Sequence, residues 1–240
     1  MTTTLLNSAR TMVALDNMDK DSLFNFLETL PQECPLVKIG LEQYLAHGKE
    51  LIKTVHDRYQ KRIFLDLKLH DIPNTVAKAL GSLSDLPVDF VTVHLGGGRA
   101  MLEAVQKVRN EKMSHVNILG VSFLTSLDKA DLKEIYGIEN SDAAFKDLFK
   151  LAIETQTQGI VCSPFELELV RQVEEELGRK LIKVTPGIRF SDEIGQGALG
   201  DQKRVLDPHE AFAKGSDFLV MGRSLTQAKN IGARVSELNA

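Results

Sequence analysis

Short runs of apolar and β-branched residues recur along the chain, separated by stretches whose apolar positions return every three to four residues. The first pattern predicts strands and the second predicts helices, because side chains alternate faces along a strand and repeat about every 3.6 residues around a helix. The predicted strands are residues 12–15, 36–39, 63–68, 90–95, 116–124, 159–162, 181–184 and 218–221. The predicted helices are residues 22–30, 41–59, 76–83, 100–108, 143–156, 165–177, 208–213 and a last one from about 225 toward 238. Asp207-Pro208-His209-Glu210 reads as a helix start, with Asp as N-cap, Pro at the first helical position and Glu two residues on.

Strands alternating with helices pair in parallel through right-handed crossovers. Eight such units predict a (β/α)8 barrel forming one domain over residues 1–240. A doubly wound open sheet fits less well, since the turn after the first strand reads Leu15-Asp16-Asn17-Met18 and lacks the Gly-x-Gly-x-x-Gly of a dinucleotide site. The long connection 189–206 has no clear periodicity, and its glycines and polar residues predict a mobile lid.

One strand breaks the apolar pattern. In RIFLDLKLHDIPNT, residues 62–75, Phe64, Asp66 and Lys68 share one face while Ile63, Leu65 and Leu67 share the other. A strand buried on both faces then carries a carboxylate and an ammonium inward, at a desolvation cost of roughly several kcal/mol per ion unless they are well paired. Asp71 follows just past the strand, before Pro73. A structural ion pair with a helix cap accounts for these charges taken alone; chemistry accounts for them equally.

The remaining strand ends shift that balance, because the active sites of such barrels lie at the C-terminal ends of the strands. Asp16 ends the first strand, Lys38 sits in the second between Val37 and Ile39, and His94 ends the fourth. Thr125-Ser126, Ser163, Pro186-Gly187-Ile188-Arg189 and Gly222-Arg223 end the others. Asp16 alone reads as a turn residue, His94 equally as a packed core histidine, and Ser163 as a helix cap. Lys38 points into the barrel if its neighbours point out. Gly222 permits close backbone approach and Arg223 offers a fork of donors, which suits phosphate on the strand-seven and strand-eight loops. Gly96-Gly97-Gly98 is a weaker rival cradle. Together these predict a phosphorylated small metabolite.

Composition narrows the partners. With 43% hydrophobic residues the 240-residue chain can fill a full barrel core, and a net charge of -4 supplies no global positive field for nucleic acid. Cys34 and Cys162 lack metal-ligand spacing, which fits a reducing, cytoplasmic compartment. No apolar run approaches membrane-spanning length.

FLDLKLHDIPNT closely resembles the orotidine 5′-monophosphate decarboxylase family, together with ALD, LVKIG, VSFLTS, VTPGIR and VMGRSLTQA at strands one, two, five, seven and eight. The resemblance runs in order over nearly the whole chain. It implies a homodimeric (β/α)8 barrel that makes UMP and CO2 without metal or organic cofactor. It implies that Lys68 protonates C6 of the pyrimidine, that Asp66 faces the substrate carboxylate, and that Lys38 holds Asp66 and contacts the ribose. Asp71 and Thr75 would reach into the partner's site, Asp16 would bind ribose hydroxyls, and Thr125 with Ser126 would lie at the pyrimidine. Arg189, Gln202, Gly222 and Arg223 would take the phosphate, Gln202 from the lid. Metal-dependent keto-sugar phosphate decarboxylases and hexulose phosphate synthases share Asp-x-Lys-x-x-Asp, but place an acidic ligand near the end of strand two. That position is Lys38 here, and Glu42 lies further on. A non-catalytic phosphometabolite-binding barrel would leave three costly charges unused.

Overall fold

The computed structural model describes residues 5–194 and 205–240. Among them, eight parallel strands close in sequence order into a barrel, β8 pairing back to β1. The strands are β1 (Thr11–Ala14), β2 (Leu36–Gly40), β3 (Arg62–Leu69), β4 (Phe90–His94), β5 (Asn117–Val121), β6 (Gly159–Val161), β7 (Ile182–Thr185) and β8 (Phe218–Met221). The first helices are α1 (Lys20–Thr29), α2 (Leu41–Tyr59), α3 (Pro73–Gly81), α4 (Gly98–Lys112) and α5 (Lys129–Tyr136). The others are α6 (Ser141–Glu154), α7 (Leu167–Leu177), α8 (Pro208–Ala213), α9 (Arg223–Thr226) and α10 (Ile231–Leu238). This is the (β/α)8 architecture that the alternation of patterns predicted.

Alternation along each strand divides the apolar side chains into two cores. Val37, Ile39, Ile63, Leu65, Val91 and Val93 face outward and pack against the helices. Met12, Leu36, Phe64, Phe90, Leu119 and Val184 face inward and fill the barrel. Phe64 meets Phe90 edge-on at 6.2 Å, and Phe90 meets Phe218 at 5.4 Å. Each such ring contributes roughly 1.5–3 kcal/mol by leaving water, so this aromatic floor closes the barrel and confines polar inward positions to the layer above it.

Three elements differ from the sequence expectation. The fifth strand ends at Val121, and Phe123 beyond it packs its ring edge against Phe145 at 5.1 Å. The unpredicted α5 follows, capped reciprocally by Asp128 and Asp131; its only buried side chain is Leu132, too little for a visible helical stripe. At the C-terminus the expected single helix is two, because Asn230 caps a fresh start at α10 by accepting from Ala233 N at 3.0 Å. Helix α2 spans its predicted range but breaks at Gly48, whose φ of 61° is readily adopted only by glycine. Asp207 caps α8 as expected, accepting from His209 N at 2.9 Å. No helix among the described residues is long and apolar enough to cross a membrane.

A buried ion cluster joins α7 to β7. Glu174, its side chain 2% exposed, accepts from Leu181 N at 2.7 Å, from Lys180 Nζ at 3.1 Å and from Lys183 Nζ at 3.2 Å. Burial alone would depress the Lys183 pKa, but Asp217 and Glu174 hold it above the usual lysine value. Glu174→Ala strands a buried amide and half-pairs Lys183, so it is expected to cost about 2–4 kcal/mol. For a chain of this size the thermal midpoint should fall by about 5–10 °C, read by calorimetry.

Candidate active site

The charged inward positions form a line of alternating sign across three neighbouring strands. Asp16, just past β1, meets Lys38 Nζ at 2.5 Å. Lys38 Nζ lies 3.7 Å from Asp66 Oδ2, and the same oxygen accepts from Lys68 Nζ at 2.7 Å. Lys38 is 7% and Asp66 9% exposed, so the inner pair is close to dry while Lys68 remains reachable. Val37 and Ile39 do point outward, which turns Lys38 inward as the alternation required. Gly40 gives Asp16 its seat. Its amide donates to Asp16 Oδ1 at 3.1 Å, and a Cβ there would lie 2.3 Å from that oxygen.

Lys68 sits in the left-handed region with φ of 50°, a conformation that costs a non-glycine residue about 1–3 kcal/mol. The β3–β4 register slips at that point, pairing Leu65 with Val91 and then Leu69 with Val93. Thr92 Oγ1 accepts from Lys68 N at 2.8 Å and donates to Asp66 Oδ1 at 2.9 Å. Burial pushes the Asp66 carboxyl toward its neutral form; Lys38, Lys68 and the Thr92 bond outweigh it and leave the pKa below the ordinary value.

These groups line one side of a cavity of about 360 Å³ at the C-terminal ends of the strands. Thr125 and Ser126 line it from the segment after β5, and Val121, Val161 and Val220 add apolar wall. Arg189, Gly222 and Arg223 also line it. Burial, and then the neighbouring Arg223 guanidinium, lower the Arg189 pKa, with Glu193 acting in the opposite direction. Two guanidiniums this close favour an anion between them. The connection that follows Arg189 leaves and rejoins the rim side by side, with Leu206 N donating to Gly187 O and Arg189 N to Leu206 O, each at 3.1 Å.

Known proteins share both the sequence and the fold that carry this cavity. The model of the orotidine 5′-phosphate decarboxylase / HUMPS family matches residues 9–238. The chain belongs to that family. The orotidine 5′-phosphate decarboxylase of Ehrlichia canis is 40% identical over 232 residues, 94% of this chain and 96% of the relative. That of Psychromonas ingrahamii is 41% identical over 224 residues, 92% of each. The crystal structure of the Lactobacillus acidophilus orotidine 5′-phosphate decarboxylase superposes with a TM-score of 0.79 at 30% identity, covering 95% of this chain and 96% of that one.

Within this family fold, Asp16, Lys38, Asp66, Lys68, Thr125, Arg189, Gly222 and Arg223 all meet at the cavity. Asp71 and Thr75 do not: both are exposed on the segment entering α3 and stay off this cavity wall. Gln202, with most of the expected lid, lies outside the described residues. His94 is not on the cavity wall; it is half-buried and stacks on His70 at 5.0 Å. Burial, then His70 and Lys68, bring its pKa to about 4, so it is neutral at pH 7. Ser163 accepts from Phe165 N at 3.2 Å in the turn before α7, one turn short of a helix cap. Gly96 to Gly98 lead into α4 and stay off the cavity wall. Sequence reasoning missed Gly40 and Thr92. A polar residue at an inward position of β4, beside Val91 and Val93, was the available signal for Thr92.

Because its pKa is lowered, Asp66 is expected to stay ionised at pH 3.8, the ordinary midpoint of an aspartate, in a carboxyl-selective NMR titration. The linked stability has the corresponding sign. It is fully present above the unfolded-state pKa and is lost only as pH falls through the lower folded value.

Proposed function

We propose that this protein converts orotidine 5′-monophosphate to UMP and CO2, the closing step of de novo UMP synthesis. The observation that carries the reading is the Asp16–Lys38–Asp66–Lys68 line sharing one cavity with Arg189 and Arg223. Arg189, Arg223 and Gly222 bind the phosphate, joined by Gln202. Asp16 and Lys38 hold the ribose hydroxyls, and Thr125 with Ser126 flanks the pyrimidine. Heterolysis of the bond between C6 and the carboxylate carbon releases CO2 and leaves its electron pair on C6. The Lys68 ammonium stabilises that charge and then gives C6 its proton; solvent returns a proton to the amine. Asp66, compensated by two ammonium groups, holds Lys68 charged and aimed. The reading requires neither metal nor organic cofactor.

The residues left off the cavity wall support a homodimer. Asp71 and Thr75 are exposed, and Ile72 beside Asp71 is 68% exposed, as suits a segment that enters a partner's site. On the same reading, residues 1–240 work as one decarboxylase domain, in the cytoplasm.

The keto-sugar phosphate chemistry of the wider family has less support here. Lys38 occupies the strand-two position between two aspartates, and Glu42 is engaged with Asn17 N at 3.3 Å. Purified protein with excess EDTA should replace the ultraviolet spectrum of orotidine 5′-monophosphate with that of UMP. No conversion, with turnover of a hexulose phosphate once Mg²⁺ is restored, would refute the reading.

Two variants test the roles. Lys68→Ala should lower turnover by more than ~10³-fold, since it removes the sole acid. Mixing inactive Lys68→Ala and Asp71→Ala chains should restore about one intact site per heterodimer. A mixture as inactive as its parents would rule out the shared site.

A further inference from the structure

Thr92 lies at the middle of β4, is fully buried, and is absent from the cavity wall. The register explains what it does there. Leu65 pairs with Val91 and Leu69 with Val93, so residues 66–68 of β3 lie opposite the single residue Thr92. Such a bulge leaves strand amides without ladder partners and re-aims the side chains it carries. The Lys68 amide is one of those, and its partner is Thr92 Oγ1 at 2.8 Å.

A hydroxyl has one proton and two acceptor sites. The Lys68 N–H can only donate, so the Thr92 proton is committed to Asp66 Oδ1 at 2.9 Å. With Oδ1 fixed, Oδ2 faces Lys68 Nζ at 2.7 Å and Lys38 Nζ at 3.7 Å. One side chain therefore holds the backbone of the ammonium-bearing residue and the carboxylate that receives its ammonium. It also stabilises Lys68 at φ of 50°, where few side chains are found.

We infer that Thr92 is a positioning residue for proton delivery: through its hydroxyl it sets the Lys68–Asp66 pair in the geometry used at C6. The inference rests on the proposed roles of Lys68 and Asp66. Thr92 is buried and does not line the cavity, so its loss is expected to act on the chemical step rather than on binding. Valine at this position keeps the shape but removes the partner of the part-buried Lys68 amide and of one buried carboxylate oxygen.

The test measures kcat and KM for orotidine 5′-monophosphate in Thr92→Val and Thr92→Ser, with Lys68→Ala alongside. Thr92→Val is expected to lower kcat by about 10–100-fold with KM within about threefold of the parent, and Thr92→Ser to stay within about threefold in both. If Thr92→Val fails to fold, Thr92→Ala takes its place in the comparison with serine. Parental kcat in the hydroxyl-free variant overturns the inference, as does a serine variant as slow as it, or a loss confined to KM. An active Lys68→Ala would instead overturn the underlying reading, whatever the Thr92 variants show.

Discussion

Burying charge is the constraint on which this structure turns. Asp66 and Lys38 are almost dry, and an ion removed from water costs several kcal/mol, roughly, before pairing returns any of it. The barrel meets that cost by placing the ions on adjacent strands in alternating sign, so that each has an opposite neighbour: Asp16 for Lys38, Lys38 and Lys68 for Asp66. Removing any one member leaves another buried and half-paired. The line is therefore held as a unit, and its balance keeps Asp66 ionised despite its burial.

Local backbone follows from that line. Gly40 has no side chain because Asp16 occupies the space a Cβ would take. Lys68 adopts a left-handed conformation inside a strand at the point where the β3–β4 ladder slips out of register. Thr92 replaces the missing ladder bond from a side chain. Backbone strain in β3 sits at Lys68, while the aromatic floor beneath is ordinary close-packed core.

The cavity is asymmetric in charge. On the β1–β3 side cations and anions balance; on the β7–β8 side Arg189 and Arg223 stand together. A ligand with a distant anionic group gains binding energy at the second side that can be used to hold its reacting end against the first. The paired ends of the Arg189-to-Leu206 connection set where that segment departs from and returns to the rim, beside the guanidiniums.

Eight apolar runs alternating with amphipathic stretches, with no dinucleotide-site turn after the first, made the barrel legible in the sequence, and alternation showed which strand residues share a face. Period two put Asp66 and Lys68 on one face of their strand and Lys38 opposite Val37 and Ile39, and the last apolar run put Gly222-Arg223 at a strand end. It hid α5, where one buried leucine leaves no stripe, and the break before α10, where capping by Asn230 overrides a continuous pattern. Tertiary structure alone decided the register between β3 and β4, because a bulge is a relation between two strands and neither strand's pattern records it. That register brings Thr92 under Asp66 and turns Lys68 toward it. Tertiary structure likewise separated His94, stacked on His70 away from the cavity wall, from the inward residues that share its spacing.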